Sequence, residues 1–144
     1  MTDPYRLQRF CAAQDEGGTY ARAVAELRAG RKTSHWMWFV FPQVAGLGQS
    51  PTSRHFAVRS LDEARAYLDH PVLGRRLVEC AQAVLIHPDR TARQIMGTPD
   101  DAKLRSSMTL FALAAADSVP VFQEVLDTFF ADQRDPGTVH LVGA

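Results

Sequence analysis

The amino-acid sequence predicts an all-α protein, a compact single-domain irregular bundle of about six to eight helices around a short aromatic central helix. One reason is length, because 144 residues fit one domain with one hydrophobic core. Another is spacing, since apolar residues recur three and four positions apart through most of the chain. The chain also contains no internal repeat or low-complexity linker, so we place no domain boundary within residues 1–144.

Two helices are predicted at the N-terminal end of the chain. Asp3 and Pro4 provide an N-cap and a first helical residue for the first helix, which we expect to end near Gln14. Two consecutive glycines then interrupt the helical pattern. Thr19 can cap the second helix, which we expect to end at Gly30.

The segment 35–41 reads HWMWFVF and is apolar on every side. Its aromatic content favours a strand, but no second segment of strand-like alternation is present to pair with it. A lone buried strand would leave its backbone donors and acceptors without partners. We therefore favour a short buried helix at the centre of the core, with a strand as the alternative.

The segment 44–58 is rich in glycine, serine and proline, which predicts a loop with one helical turn near residues 54–57. Long loops held by a rigid scaffold are where binding residues concentrate. This loop is therefore the segment that we expect to be mobile or to form a site.

The C-terminal half predicts further helices, each with its own start or stop signal. In chain order these are a helix opened by the capping box Ser60 and Glu63, a helix over residues 71–85, a short turn from Thr91 to Met96, a long helix opened by Thr98, Pro99 and Asp101, a helix over residues 121–129, and a last short turn after Asp135 and Pro136.

Composition and motifs exclude several classes of protein. The chain carries 16 Lys plus Arg against 16 Asp plus Glu, so no net field attracts nucleic acid or an anionic membrane surface. No apolar run is long enough to cross a bilayer, and the first residues lack the apolar region of a secretory signal, so we expect a cytoplasmic protein. Cys11 and Cys80 lie far apart and are expected to be buried free thiols. We expect no metal and no cofactor, because the metal-ligand, serine-hydrolase and dinucleotide-binding motifs are all missing.

The first candidate site surrounds the aromatic segment. His35 precedes it and Gln43 follows it, so both polar side chains are expected at the ends of a buried element, where either can face a cleft or simply satisfy backbone groups. Trp36 and Trp38 can stack on a base or a sugar, or fill the core. The adjoining Arg31 and Lys32 are expected to lie in a solvated turn.

The second candidate site lies on the long helix. At about 100° per residue, Leu104, Met108 and Phe111 define the core-facing side, and Lys103 and Ser107 lie on one flank of it beside Asp100. Ser106 is predicted to face solvent. A lysine and a hydroxyl near a helix N-terminus suit a phosphate or carboxylate ligand. The alternative is an exposed network of ion pairs with no ligand.

Several ordered sequence blocks resemble a bacterial family known as domain of unknown function 1810. They are LQRF at 7–10, GRKTSHWMWFVFPQ at 30–43, GLG at 46–48, SLDEARAYL at 60–68, HPVLG at 70–74 and DDAKLRSSMTLF at 100–111. The resemblance spans nearly the whole chain and implies a compact, all-helical domain without an assigned activity. The family's signature positions, carried onto this chain, are His35, Trp36, Trp38, Phe41, Pro42, Gln43, Lys103, Ser106 and Ser107.

These observations lead to two hypotheses of function. In the first, both candidate sites enclose a pocket for a small anionic, nucleotide-like metabolite, with a tryptophan stacking on it and Lys103 meeting its charge. If the protein is an enzyme, His35 is the acid or base, Ser107 and Gln43 orient substrate or water, and metal-independent hydrolysis is the reaction class. In the second, the chain is a non-enzymatic protein-interaction module that uses an exposed aromatic surface.

Overall fold

The computed structural model describes residues 3–144, and these residues fold as the predicted all-helical single domain. The helices are α1 (Gln8–Asp15), α2 (Thr19–Arg28), α3 (Met37–Val40), α4 (Pro51–His55), α5 (Leu61–Asp69), α6 (Leu73–Leu85), α7 (Ala92–Met96), α8 (Asp100–Ala115), α9 (Val121–Phe130) and α10 (Pro136–Val142). Within residues 3–144 the only β-type pairing is an isolated parallel bridge between Val44 and Val58.

Helix α8 is enclosed by the rest of the bundle. It packs against α5, α7, α9 and α10, while α6 packs against α2, α5 and α9. Every residue from 106 to 112 is buried, so α8 has no continuous solvent-facing side in this stretch. A helix that is buried all round needs small and weakly polar residues among its large ones, which explains the Ser106, Ser107, Thr109 and Ala112 positions.

Local capping signals set several of the helix starts, as the sequence predicts. Thr91 and Gln94 form a complete capping box at α7, and the Asp135 side chain accepts a hydrogen bond from the Thr138 N–H at α10. Ser60 likewise accepts from the Glu63 N–H at α5.

Two predicted helix starts at the N-terminal end were wrong. The first helix begins at Gln8 rather than at Pro4, because Arg6 has a positive φ, although the Asp3 carboxylate still accepts hydrogen bonds from the N–H groups of Leu7 and Gln8. Thr19 is the first residue of α2 and not its cap, since Gly18 precedes it in the left-handed conformation.

The aromatic segment forms the short helix α3, as the sequence favours, and α3 packs against α1 and α6. Trp36 and Phe41, the residues on either side of α3, are completely buried. The Trp36 indole N–H donates a hydrogen bond of 2.9 Å to Glu26 Oε1, which satisfies its one polar atom in the core.

The two ends of the loop 44–58 are joined by backbone hydrogen bonds. Val58 N–H donates to the Gln43 carbonyl at 2.9 Å, and Ala45 N–H donates to the Val58 carbonyl at 2.8 Å. The loop does contain one short helix, but this helix is α4 over Pro51–His55 rather than a turn near residues 54–57. It begins after Ser50, whose hydroxyl accepts from the Ser53 N–H. The loop thus forms a wall that stands beside α3.

Candidate functional site

Two of the predicted site residues, Trp38 and Gln43, line a cavity of about 260 Å³. The cavity lies between the end of α3 and the folded loop 44–58. Its complete lining is Trp38, Gln43, Val44, Ala45, Gly46, Gly48, Ser53, Arg54, Phe56, Ala57 and Arg59. The volume approaches the lower end of the range typical of small-molecule sites, about 300 Å³.

The two arginines of this cavity, Arg54 and Arg59, are not among the site residues predicted from the sequence. Both are exposed, and within residues 3–144 neither guanidinium forms an ion pair or a hydrogen bond. Phe56 adds a second aromatic ring to the wall. The available signal was the predicted site-forming loop, because Arg54 lies in its helical turn and Arg59 directly follows it.

The second candidate site meets the first at Trp38. The Lys103 ammonium lies 5.1 Å from the centre of the Trp38 ring, which is the geometry of a cation–π contact. Helix α8 therefore does reach the aromatic segment, as the sequence hypothesis requires. Lys103 is not among the residues that line the cavity, so it contacts the tryptophan rather than the empty space.

The charge of Lys103 is shared with a carboxylate of the protein itself. Asp100 lies 3.5 Å from the Lys103 ammonium and 2.8 Å from the ammonium of Lys32. The expectation that Lys32 lies in a solvated turn was wrong, since its side chain is 8% exposed and also lies over the Trp36 ring at 4.9 Å. Asp100 thus bridges two lysines and joins the segment before α3 to the start of α8.

The Gln43 side chain is held in place by Ser106, a residue that the helical pattern places on the solvent side of α8. Its side-chain N–H donates to the Ser106 hydroxyl at 2.6 Å, and that hydroxyl donates to the Lys103 carbonyl. The prediction that Ser106 faces solvent was wrong, because Ser106 is buried. The prediction assumed a helix with one buried side, whereas α8 is covered on several sides.

The remaining predicted residues lie outside the cavity wall. His35 is exposed, and Trp36 is completely buried in the core. Ser107 is also completely buried, and its hydroxyl is the one buried side-chain polar atom in residues 3–144 that has no hydrogen-bond partner. Trp38 is therefore the tryptophan that can reach a ligand without a change in the core.

The described part of the chain contains no group of three or more His, Cys, Asp or Glu side chains placed to hold a metal ion. None of the helices in residues 3–144 has both the length and the apolar character needed to cross a membrane.

Comparisons with known proteins match nearly the whole chain. Residues 4–142 match the family described as "Protein of unknown function (DUF1810)". The crystal structure of the conserved hypothetical protein Rv1873 from Mycobacterium tuberculosis is similar, with 48% sequence identity, a TM-score of 0.94 and 99% of each chain covered. The comparison with curated proteins gives no match. The chain therefore belongs to the family of proteins of unknown function 1810.

Proposed function

We propose that the protein binds a small, planar, anionic metabolite of nucleotide-like chemistry in the cavity between Trp38 and the loop 44–58. The observation that carries the proposal is the combination of groups in one wall. Two aromatic rings, Trp38 and Phe56, offer stacking surfaces, and the unpaired guanidinium groups of Arg54 and Arg59 offer charge. A planar aromatic ring joined to a phosphate or carboxylate is the ligand that uses both.

The proposal changes the role of Lys103. The sequence hypothesis gives the ligand's charge to this residue, whereas the geometry supports Arg54 and Arg59 in that role. Because Lys103 lies over the Trp38 ring and Asp100 partly neutralises it, we assign Lys103 and Asp100 to positioning the tryptophan. Gln43, held by Ser106, presents its remaining amide oxygen as an acceptor for the ligand.

The proposal is one of binding rather than hydrolysis. Neither His35 nor Ser107 lines the cavity, so the acid–base and orienting roles given to them by the sequence hypothesis gain no support from the geometry. The interaction-module hypothesis also gains little, because the large hydrophobic residues exposed in the described chain, Tyr5, Ile86 and Leu141, come from three separate segments.

We also propose that the protein is cytoplasmic. The buried free thiols Cys11 and Cys80 support this location.

The test is a titration of adenosine, guanosine, cytidine and uridine monophosphates, followed by thermal shift and isothermal calorimetry. At least one of them is expected to raise the melting temperature of the wild-type protein. The rise should vanish in Trp38→Leu and in the double variant Arg54→Gln with Arg59→Gln. It should persist in Phe130→Leu, which alters a half-buried aromatic residue outside the cavity wall. Mixtures with a bound nucleotide are analysed for free phosphate and free base, which detects hydrolysis directly.

Intrinsic fluorescence gives an independent measurement. The chain has two tryptophans, and only Trp38 lines the cavity. A bound base should therefore quench the wild-type emission and leave the emission of Trp38→Phe, which retains Trp36, unchanged. A full panel without any thermal shift or quenching would rule out the proposal. Binding that is lost in Lys103→Ala but unchanged in the double arginine variant would return the charge-binding role to Lys103.

A further inference from the structure

A second, larger cavity of about 470 Å³ adjoins the first. Arg54, Ala57 and Arg59 line both cavities, so the two arginines stand at their common boundary. The second cavity lies between the N-terminal segment before α1, the helix α4 and the start of α5, with Arg6 and Glu63 in its wall.

The second cavity concentrates positive charge in a protein whose formal net charge is zero. Its lining includes Arg6, Arg9, Arg54 and Arg59 against the single carboxylate of Glu63, an excess of three positive charges. Pro4, Tyr5, Pro51 and His55 complete most of the remaining wall. Charges of one sign that line a cleft raise the local concentration of oppositely charged ligands.

Arg9 and Glu63 are the structural part of this cluster. The Arg9 guanidinium binds Glu63 at 2.9 Å and also donates to the carbonyl groups of His55 and Ala57. Both side chains are nearly buried, and Glu63 also accepts from the Arg59 backbone N–H. These contacts fix α1, α4 and α5 around the cavity. The Arg9 guanidinium also donates to the carbonyl groups of Tyr5 and Arg6, so all five of its N–H donors are used within the protein and none remains for a ligand.

The other three guanidinium groups remain available. Within residues 3–144 the side chains of Arg6, Arg54 and Arg59 form neither an ion pair nor a hydrogen bond, although all three lie on one cavity. Guanidinium groups bind phosphate oxygens through two parallel N–H donors. Three guanidinium groups are more than a single phosphate group requires.

We infer that the two cavities hold the two ends of one ligand, and that this ligand is a nucleoside diphosphate or a longer nucleoside polyphosphate. This inference rests on the proposed function, because the base occupies the first cavity beside Trp38. The first phosphate lies at the boundary formed by Arg54 and Arg59, and the following phosphates extend into the second cavity toward Arg6. A monophosphate would leave Arg6 without a partner.

The experiment compares nucleoside, nucleoside monophosphate and nucleoside diphosphate by isothermal calorimetry, using the base that binds best in the monophosphate panel. We expect the diphosphate to bind about tenfold more tightly than the monophosphate, since it gains a charge-assisted contact. Arg6→Gln should remove this gain and leave monophosphate affinity unchanged. Arg93→Gln is the matched control, because Arg93 is an exposed arginine on α7 that lines neither cavity. It should retain the full gain.

The outcomes separate this inference from the proposed function. Equal affinities for monophosphate and diphosphate, or an Arg6→Gln variant that still prefers the diphosphate, would overturn the polyphosphate assignment while the monophosphate site stands. Inorganic tripolyphosphate is expected to displace the diphosphate competitively. If both bind at the same time, the cavities are separate sites and the inference of a single ligand is wrong. Failure of every nucleotide in the panel would overturn the proposed function and this inference together.

Discussion

Glu26 organises the chain segment that leads into the aromatic helix α3. Its carboxylate accepts hydrogen bonds from the backbone N–H groups of Thr33 and Ser34, from the Ser34 hydroxyl and from the Trp36 indole. Burial acts to raise the pKa of Glu26, but these donors outweigh it and hold the pKa at about 2, well below its ordinary value of 4.5. Glu26 therefore stabilises the folded protein in its ionised form.

This contact network predicts a pH-dependent loss of stability. Because the pKa of Glu26 is lower in the folded protein than in the unfolded chain, its contribution is complete above pH 4.5 and is lost as the pH falls toward 2. Glu26→Gln should lower the free energy of unfolding by about 2 kcal/mol at pH 7, since a neutral amide replaces a charged acceptor. Urea denaturation at several pH values should show the difference between wild type and variant shrinking below pH 4.5. A difference that stays constant down to pH 2 would contradict the assignment.

Residue spacing along the chain predicted some side-chain contacts of the site and missed others. The sequence identified Lys103, Asp100 and the aromatic segment as neighbours, and the structure brings Lys103 and Trp38 together. It could not show that Lys32 would be buried beside Asp100, because that contact joins residues 68 positions apart through the tertiary fold. The loop was predicted to form a site, but Arg54 in the loop and Arg59 directly after it were not selected, because the residues that face them across the cavity are set by the tertiary fold.

At the scale of elements, the approach of α5 to α6 depends on a glycine. Gly74 is buried in the first turn of α6, and a Cβ atom at this position would lie 2.0 Å from the Leu68 carbonyl oxygen of α5. His70 forms the connection, with its Nδ1 accepting from the N–H groups of Val72 and Leu73. The backbone of α5 thus rests directly against the start of α6.

Gly74→Ala tests this packing because two physical effects predict opposite signs. Helix propensity alone predicts a gain of about 1 kcal/mol, since alanine is the better helix former. The clash with a backbone atom predicts a loss of about 3 kcal/mol, because α5 and α6 must separate. We expect the loss to prevail in chemical denaturation. Gly143→Ala is the control, with a positive φ but no atom within 4 Å, and should cost about 1 kcal/mol. If Gly74→Ala were more stable than the wild type, α5 and α6 would be able to move apart without a loss in the free energy of unfolding, and the expectation would be wrong.

Helix boundaries also mark the limit of prediction from sequence. Caps that act within one turn, such as Thr91 at the start of α7, were predicted correctly because the groups that they bind are close in the chain. At α5 the predicted box forms only in part. Ser60 caps the helix, but the Glu63 carboxylate binds Arg9 and the Arg59 N–H instead of the Ser60 N–H. Arg9, which is 54 positions away in the sequence, thus binds the carboxylate that would otherwise complete the capping box.

At the scale of the whole molecule, the candidate site lies beside the core rather than within it. The enclosed helix α8 supplies fixed contacts through Lys103 and Ser106. The loop 44–58, with Arg59 directly after it, supplies the wall that carries the two arginines. This division follows the general pattern in which a rigid scaffold carries a functional loop. Helix periodicity predicts the scaffold, whereas the site depends on how the loop folds back onto α3.

The two thiols report on whether the helices unfold as one unit. Cys80 is completely buried on α6, and burial raises the pKa of its thiol to about 12, so the folded state contains almost no reactive thiolate. Cys11 lies nearer the surface, where its sulfur contacts the His70 ring at 3.9 Å, and burial raises its pKa as well. Exposure of Cys80 requires α6 to leave α2, α5 and α9.

Thiol labelling in Cys11→Ala and Cys80→Ala, which leave one cysteine each, should therefore separate global from local opening. For Cys80 the free energy of opening should equal the global free energy of unfolding, with the full dependence on urea concentration, because a single core must open. Cys11 should label through a smaller opening with a weaker dependence on urea. Both variants should label completely in concentrated urea, which controls for reagent access. A Cys80 opening energy well below the global value would mean that α6 detaches while the remaining helices stay folded, and that the helices do not form one cooperative domain.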